Sequence, residues 1–293
     1  MNMRNTGLLF VVLAAAVPAC SSDNNSNAAD AGAADAASGG TAAATLSTST
    51  TLGAHLVDKD GKTLYFFIND VPGGASACTG TCLTTWPPAD LGTTTTVGDG
   101  LTASDFTSIT TNGAAQTAWK GRPLYHFAMD AAVGDTKGEN AASGHWFVAR
   151  AYNLFFGFNT AIAKAPEGGA DTSAPFLTDG KGHTLYVLNT ETPGTATTPP
   201  TTKCGVTSFP TCAAKWPLWE KPATLTTPIV PSTVTATALG SFTAEGGKTQ
   251  FTYKGWATYF FAPNSTTQEA PGAVAGAAVA TWYAINKDWN GTF

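Results

Sequence analysis

Charge is what this sequence has least of: Asp, Glu, Lys and Arg make up 12% of its residues, against roughly 25% in an ordinary soluble domain. The net charge of -5 comes without any basic cluster, which excludes nucleic acid as a partner, because binding phosphates needs a concentrated positive face. Histidine (4) and methionine (3) are scarce, so transition-metal ligands are few and no cofactor is expected. No Cys-x-x-Cys, Cys-x-x-Cys-His, Gly-x-Ser-x-Gly, His-Glu-x-x-His, Walker or dinucleotide-binding pattern occurs. The redox dithiol, the c-type haem attachment, the hydrolase elbow, the zinc-protease helix and the nucleotide loop are thereby missing, and no catalytic residue is assigned. No window shows a usable 3.6-residue apolar period, which argues against amphipathic helices. What the chain does have is 43% hydrophobic and 11% aromatic residues, enough to bury a core.

Arg4, the apolar stretch Gly7 to Val17 and then Val17-Pro18-Ala19-Cys20 read as a signal peptide over residues 1–19. The apolar run is far short of the roughly twenty residues a membrane-spanning helix needs. Its end resembles a bacterial lipobox. That resemblance implies that Cys20 opens the mature chain, carries lipid and makes the membrane a partner; Ser21 and Ser22 in place of Asp imply the outer membrane. Residues 20–50 are, after Cys20 itself, Ala, Ser, Asn, Asp, Gly and Thr with a single long aliphatic residue, Leu46. So little apolar surface cannot offset chain entropy, and a disordered tether is expected there.

Beyond residue 50 the sequence repeats itself. Tyr65-Phe66-Phe67-Ile68-Asn69-Asp70 returns as Tyr125 to Asp130, more loosely as Tyr186 to Glu191, and again as Tyr259 to Asn264. On a longer scale, Cys78 and Cys82 before Trp86-Pro87 match Cys204 and Cys212 before Trp216-Pro217, and Lys120-Gly121 answers Lys254-Gly255. These matches keep one order, so they mark a duplicated unit that is itself built from two halves. Turn signals such as Asp60-Gly61 and Pro72-Gly73 bracket short β-rich runs. The expected fold is all-β: two tandem homologous antiparallel β domains, residues 51–153 and 174–293, each made of two half-repeats. Residues 154–173 between them are read as an interdomain segment, whose aromatic run Leu154-Phe155-Phe156-Gly157-Phe158 packs one domain on the other.

The motif stretches, the cysteine pair before Trp-Pro and the Lys-Gly-x-x-x-Tyr-x-Phe run resemble a family of bacterial secreted and lipoprotein repeats with a Tyr-x-[Phe/Trp/Tyr]-x-x-Asp pattern and no established function. The resemblance implies an exported protein of repeated architecture and no particular activity. In the third copy the motif acid is Glu191, and in the fourth Asn264 stands in its place. A chemistry needing a carboxylate in every copy is therefore not expected.

Setting Cys20 aside, the remaining cysteines are even in number, as an exported chain with disulfides requires. Four cysteines allow three connectivities, and recurrence of the pair in both units favours Cys78–Cys82 and Cys204–Cys212. The main functional expectation is a non-catalytic binding or structural module at the cell envelope, with an envelope protein or polysaccharide as partner. Tyr65, Phe67, Asp70, Trp86, Tyr125, Phe127, Asp130 and Trp216 are the candidate contact residues, since aromatic residues are favoured at interfaces. A second reading is a metal-binding or redox accessory protein using His126, Met129 and His145. A third is a cell-wall or polysaccharide-processing enzyme using Asp70 or Asp130. The acidic stretch Asp130 to Asn140 has oxygen ligands but not the calcium-loop spacing, and its counterpart keeps only Glu269, so a solvated loop is expected.

Overall fold

Among the described residues, short β-branched and aromatic runs cut by turn residues give fourteen short strands, and no helix exceeds the six residues of Pro210–Lys215. The computed structural model describes residues 42–92, 96–159 and 174–293. The signal peptide, Cys20, the first part of the tether and most of the interdomain segment lie outside the described residues. None of the described helices is long and apolar enough to cross a membrane.

The first repeat runs through β1 (Ala44–Ser49), β2 (Gly53–Asp58), β3 (Tyr65–Phe67), β4 (Phe106–Thr111), β5 (Ala114–Trp119), β6 (Arg122–Pro123) and β7 (Trp146–Val148). The second repeats the order with β8 (Leu154–Asn159), β9 (Ala174–Asp179), β10 (Tyr186–Leu188), β11 (Leu239–Thr243), β12 (Thr249–Tyr253), β13 (Trp256–Ala257) and β14 (Trp282–Ala284). Every pairing of these strands is antiparallel and each has its counterpart. The pair β1–β2 is matched by β8–β9, β3–β7 by β10–β14, and the meander β4–β5–β6 by β11–β12–β13. The last hairpin of each meander closes on two residues, Lys120-Gly121 and Lys254-Gly255, all four at positive φ. That is the turn whose twist matches a right-handed hairpin. A side chain at Gly255 would also meet the backbone oxygen of Gly194 at 2.4 Å.

Two boundaries differ from the sequence expectation. Residues 44–49, expected within the tether, form β1, which is held by main-chain bonds to β2 along its whole length and buries Ala44 completely. Backbone pairing with a buried neighbour supplies what the side chains of β1 lack. The aromatic run assigned to an interdomain segment is the first strand of the second repeat, paired over six positions from Leu154 opposite Asp179 to Asn159 opposite Ala174. Its Phe155 meets Phe66 and Phe147 of the first repeat at ring distances of 6.0 and 5.8 Å.

The two repeats therefore share one core. A single apolar cluster holds Leu56, Leu64, Phe66 and Phe147 from one repeat together with Phe156, Leu177, Leu185 and Trp289 from the other. The described residues form one unit. Each repeat keeps a smaller private cluster around its motif tyrosines, one tryptophan pair (Trp86 with Trp146, or Trp216 with Trp282) and its disulfide, Cys78–Cys82 or Cys204–Cys212.

Candidate functional site

The motif is assembled by exchange between the halves of a repeat. Tyr65 and Tyr125 pair through their backbones, each N–H donating to the other's carbonyl at 2.9 and 3.2 Å. The halves thus lie side by side in opposite directions, and each side chain reaches the other half's acid. Tyr65 donates its hydroxyl to Asp130 Oδ2 at 2.6 Å, and Tyr125 donates to Asp70 Oδ2 at 2.8 Å. The second repeat is built the same way. Tyr186 and Tyr259 exchange backbone bonds of 2.9 and 3.0 Å, Tyr259 donates to Glu191 Oε1 at 2.8 Å, and Tyr186 donates to Glu269 Oε1.

Glu269 was not the expected acid. Asn264, which follows Tyr259 at the motif spacing, is exposed and caps its own turn by accepting the N–H groups of Thr266 and Thr267. The chain loops out there and brings Glu269 back, so that its N–H donates to Phe261 O at 2.8 Å. Asp70, Asp130 and Glu191 make the equivalent bond to Phe67, Phe127 and Leu188, in each case the carbonyl two residues after the tyrosine. A carboxylate is thus present in all four copies, which corrects the expectation that the fourth lacks one. Each acid also closes the loop after it by accepting a backbone N–H: Ala77 on Asp70 at 2.7 Å, Lys137 on Asp130 at 3.0 Å, Lys203 on Glu191 at 2.7 Å and Ala275 on Glu269 at 3.0 Å.

Burial sets the electrostatics of these clasps. Removal from water pushes the carboxyls of Asp70, Glu191 and Glu269 up to about 7, against the pull of the N–H and hydroxyl donors that favour the ionised form. Asp130 is raised for the same reason. All four tyrosines are raised too, first by burial and then by the carboxylate beside each hydroxyl. Gly138 lets the first clasp close: its N–H donates to the Tyr65 hydroxyl at 3.2 Å. A Cβ there would stand 2.8 Å from the Tyr65 ring and 2.7 Å from Trp86. Gly276 occupies the same position against Tyr186, at 2.7 Å.

The remaining motif residues form a pillar of rings. In the first repeat Phe67 stacks on Trp146 at 4.3 Å, Trp146 on Trp86 at 3.8 Å with 3° between their planes, and Trp86 on Phe127 at 4.3 Å. Tyr65 and Tyr125 meet Trp86 and Trp146 edge-on at 5.4 and 5.0 Å. The second repeat stacks Trp282 on Trp216 at 3.7 Å and Trp216 against Phe261 at 4.6 Å. Leu188, the residue in register with Trp282, takes the place of the fourth ring.

The structure therefore brings the candidate contact residues together, but inside the protein. Trp86 and Trp216, expected as exposed contact points, are 5% and 3% exposed, and Tyr65, Asp70, Tyr125, Phe127 and Asp130 are buried with them; Phe67 alone is half-buried. The cause is local. A helical turn begins at Cys82 and another contains Cys212, each closed by the tryptophan N–H donating to the cysteine carbonyl at 2.8 or 2.7 Å, and the indole then faces inward onto its partner. Sequence reasoning missed the role of Trp146 and Trp282. The signal was available in the numbering, since Trp86 follows Tyr65 and Trp146 follows Tyr125 by the same twenty-one positions.

The histidine set is not assembled. His126 faces Asp58 at 3.7 Å, His145 bonds Asn69 at 2.8 Å and lies against Phe158, and Met129 is exposed. Among the described residues no group of three His, Cys, Asp or Glu side chains is placed to hold a metal. Carboxylates of the Asp130 to Asn140 stretch bind the chain's own backbone: Asp135 accepts the N–H groups of Ala131 and Ala132, and Glu139 Oε2 that of Val148. Where the repeats meet, a cleft of about 750 Å³ opens between Asp105, Lys120 and Tyr152 on one side and Lys181, Trp219 and Phe260 on the other.

Residues 47–90 and 107–150 each match a family model described as a secreted repeat of unknown function. The matched stretches correspond to the two halves of the first repeat: Tyr65, Asp70 and Trp86 lie in one, Tyr125, Asp130 and Trp146 in the other. No curated protein and no solved structure matches the chain.

Proposed function

We propose that the chain is an exported lipoprotein of the bacterial envelope, held at the outer membrane by lipid on Cys20, whose two repeats form a rigid, non-catalytic binding or structural module. The observation that carries this reading is the fate of the motif. Each of its four acids is occupied by a tyrosine of the other half and by a backbone N–H, in a site closed to water. Groups so engaged hold two halves together and have no free face for a substrate. Export is supported by the likeness to a secreted repeat and by two disulfides, which suit an oxidising compartment. The short apolar run ending at Ala19-Cys20 supports the anchor. The partner is an envelope protein or polysaccharide, met from the end of the tether. Radiolabelled palmitate and membrane fractionation test the anchor. Wild-type protein incorporates label and sediments with outer membranes, whereas Cys20→Ser does neither while keeping the fold of residues 44–293. A labelled, membrane-bound Cys20→Ser protein refutes the anchor.

A further inference from the structure

The meeting of the two repeats holds a buried cation without a full set of partners. Arg122 is 3% exposed and lies in β6, directly after the Lys120-Gly121 turn. Its Nη1 makes one long bond, 3.5 Å to the carbonyl oxygen of Asp70, and its Nη2 is buried with no hydrogen-bond partner. The guanidinium lies over the ring of Phe155 at 4.7 Å. Burial lowers its pKa to about 10, so the group stays charged at neutral pH. The carboxylates of Asp70 and Asp179 favour its charged form from nearby, but Nη2 is left without a hydrogen bond, and a buried donor so left is costly.

Arg122 sits at the end of a recess that also borders Lys120, Arg150, Ala151, Tyr152 and Gly180. The recess measures about 20 Å³, room for a single oxygen-sized group. It shares Lys120, Ala151, Tyr152 and Gly180 with the cleft of about 750 Å³, a volume that suits a small ligand. Lys181 stands exposed at the cleft. Three acids line the cleft as well, each with partners of its own: Asp105 pairs with Lys120 at 3.0 Å, Glu220 with Lys248 at 2.8 Å, and Asp179 accepts from the backbone of Lys181 and His183. Trp219, Phe251 and Phe260 also line the cleft. Lys120 and Lys181 thus line the cleft, and Arg122 and Arg150 line the recess that adjoins it, where Arg122 Nη2 is the buried donor with no partner.

We infer that this cleft is a binding site for a small carboxylate-bearing ligand with an apolar or ring-shaped body, its carboxylate directed to the recess at Lys120 and Arg122 and its body against Trp219 and Phe260. The inference rests on the binding-module reading and gives it a ligand class. Acidic sugars and aromatic acids share that chemistry, and paired probes separate them: glucuronate against glucose, and phenylacetate against benzyl alcohol. Isothermal titration of the full-length protein reads binding. One acid of the two is expected to bind saturably and at least about tenfold more tightly than its neutral analogue, the worth of one charge-assisted contact. The exposed double variant Lys120→Gln/Lys181→Gln, which leaves the core intact, should weaken binding about tenfold or more. Trp219→Phe should remove the accompanying change in tryptophan fluorescence. Absence of saturable binding by either acid, equal binding of the neutral analogue, or indifference to the double variant overturns the proposal. A protein that binds neither acid but still carries lipid on Cys20 leaves the envelope-module reading standing without this ligand.

Discussion

The two repeats reach the same clasp with different parts. The first uses Asp70 and Asp130, each five residues after its tyrosine, and the second uses Glu191 and Glu269, the latter ten residues after Tyr259. The extra methylene of glutamate and the longer loops, to Lys203 where the first repeat needs only to reach Ala77, change the route while the hydroxyl–carboxylate bond is retained. The pillar of rings shows the opposite tolerance: four rings in the first repeat, three and Leu188 in the second, around the same parallel tryptophan pair. What the fold specifies is the pair of crossed bonds and the indole stack. The spacing and the flanking rings are free to vary.

That comparison can be broken most forcefully at the stack. Trp146→Ala removes a nearly fully buried indole from between Phe67 and Trp86, and a loss of about 3–5 kcal/mol is expected in urea unfolding. Trp282 stacks on Trp216 alone, with Tyr259 edge-on, so Trp282→Ala should cost about 1 kcal/mol less. Equal losses would show that the fourth ring contributes nothing.

pH distinguishes the repeats next. Asp70, Glu191 and Glu269 have folded-state values raised to about 7, above the value of about 4 that carboxyls have in an unfolded chain. Between those values the folded protein holds protons that the unfolded chain releases, so stability falls as pH rises from about 4 to about 7 and then levels off. The contribution is fully present below the unfolded value and gone above the folded one. Each tenfold difference in proton affinity between the folded and unfolded chain is worth on the order of 1 kcal/mol. Because both second-repeat acids reach about 7, the double change Glu191→Gln/Glu269→Gln should flatten the pH dependence of thermal unfolding more than Asp70→Asn does. Stability that climbs between about pH 5 and about pH 8 would contradict the buried clasps.

The finer contrast lies within the fourth copy. Tyr186 and Ala275 donate to different oxygens of Glu269; Glu269→Gln keeps one acceptor and puts an amide donor in place of the other, and should cost about 1–3 kcal/mol. Asn264→Ala, in an exposed turn, should cost no more than about 0.5 kcal/mol. The reverse ranking in chemical denaturation would return the motif position to Asn264.

Much of this was legible in residue spacing. The duplication, the halves, the disulfides and the all-β character follow from Cys78, Cys82, Trp86 and their copies, because those matches keep one order. Glu269 was hidden because its loop carries extra residues, and a fixed spacing from Tyr259 lands on Asn264. The inward direction of Trp86 was hidden because a helical turn of four residues leaves no periodicity to show which side is covered. β1 escaped for a related reason: backbone pairing leaves almost no mark on a sequence of Ala, Thr and Ser. Arg122 reads as an ordinary turn residue until Phe155 of the other repeat is laid against it.

The central claim is that each tyrosine is bound to the acid of the opposite half. A double-mutant cycle tests it directly: Tyr65→Phe with Asp130→Asn, and Tyr65→Phe with Asp70→Asn, each measured by equilibrium unfolding at neutral pH. The account predicts a coupling of about 1–3 kcal/mol for Tyr65 with Asp130 and under about 0.5 kcal/mol for Tyr65 with Asp70. Strong coupling of Tyr65 to Asp70, with none to Asp130, would contradict the exchanged clasp.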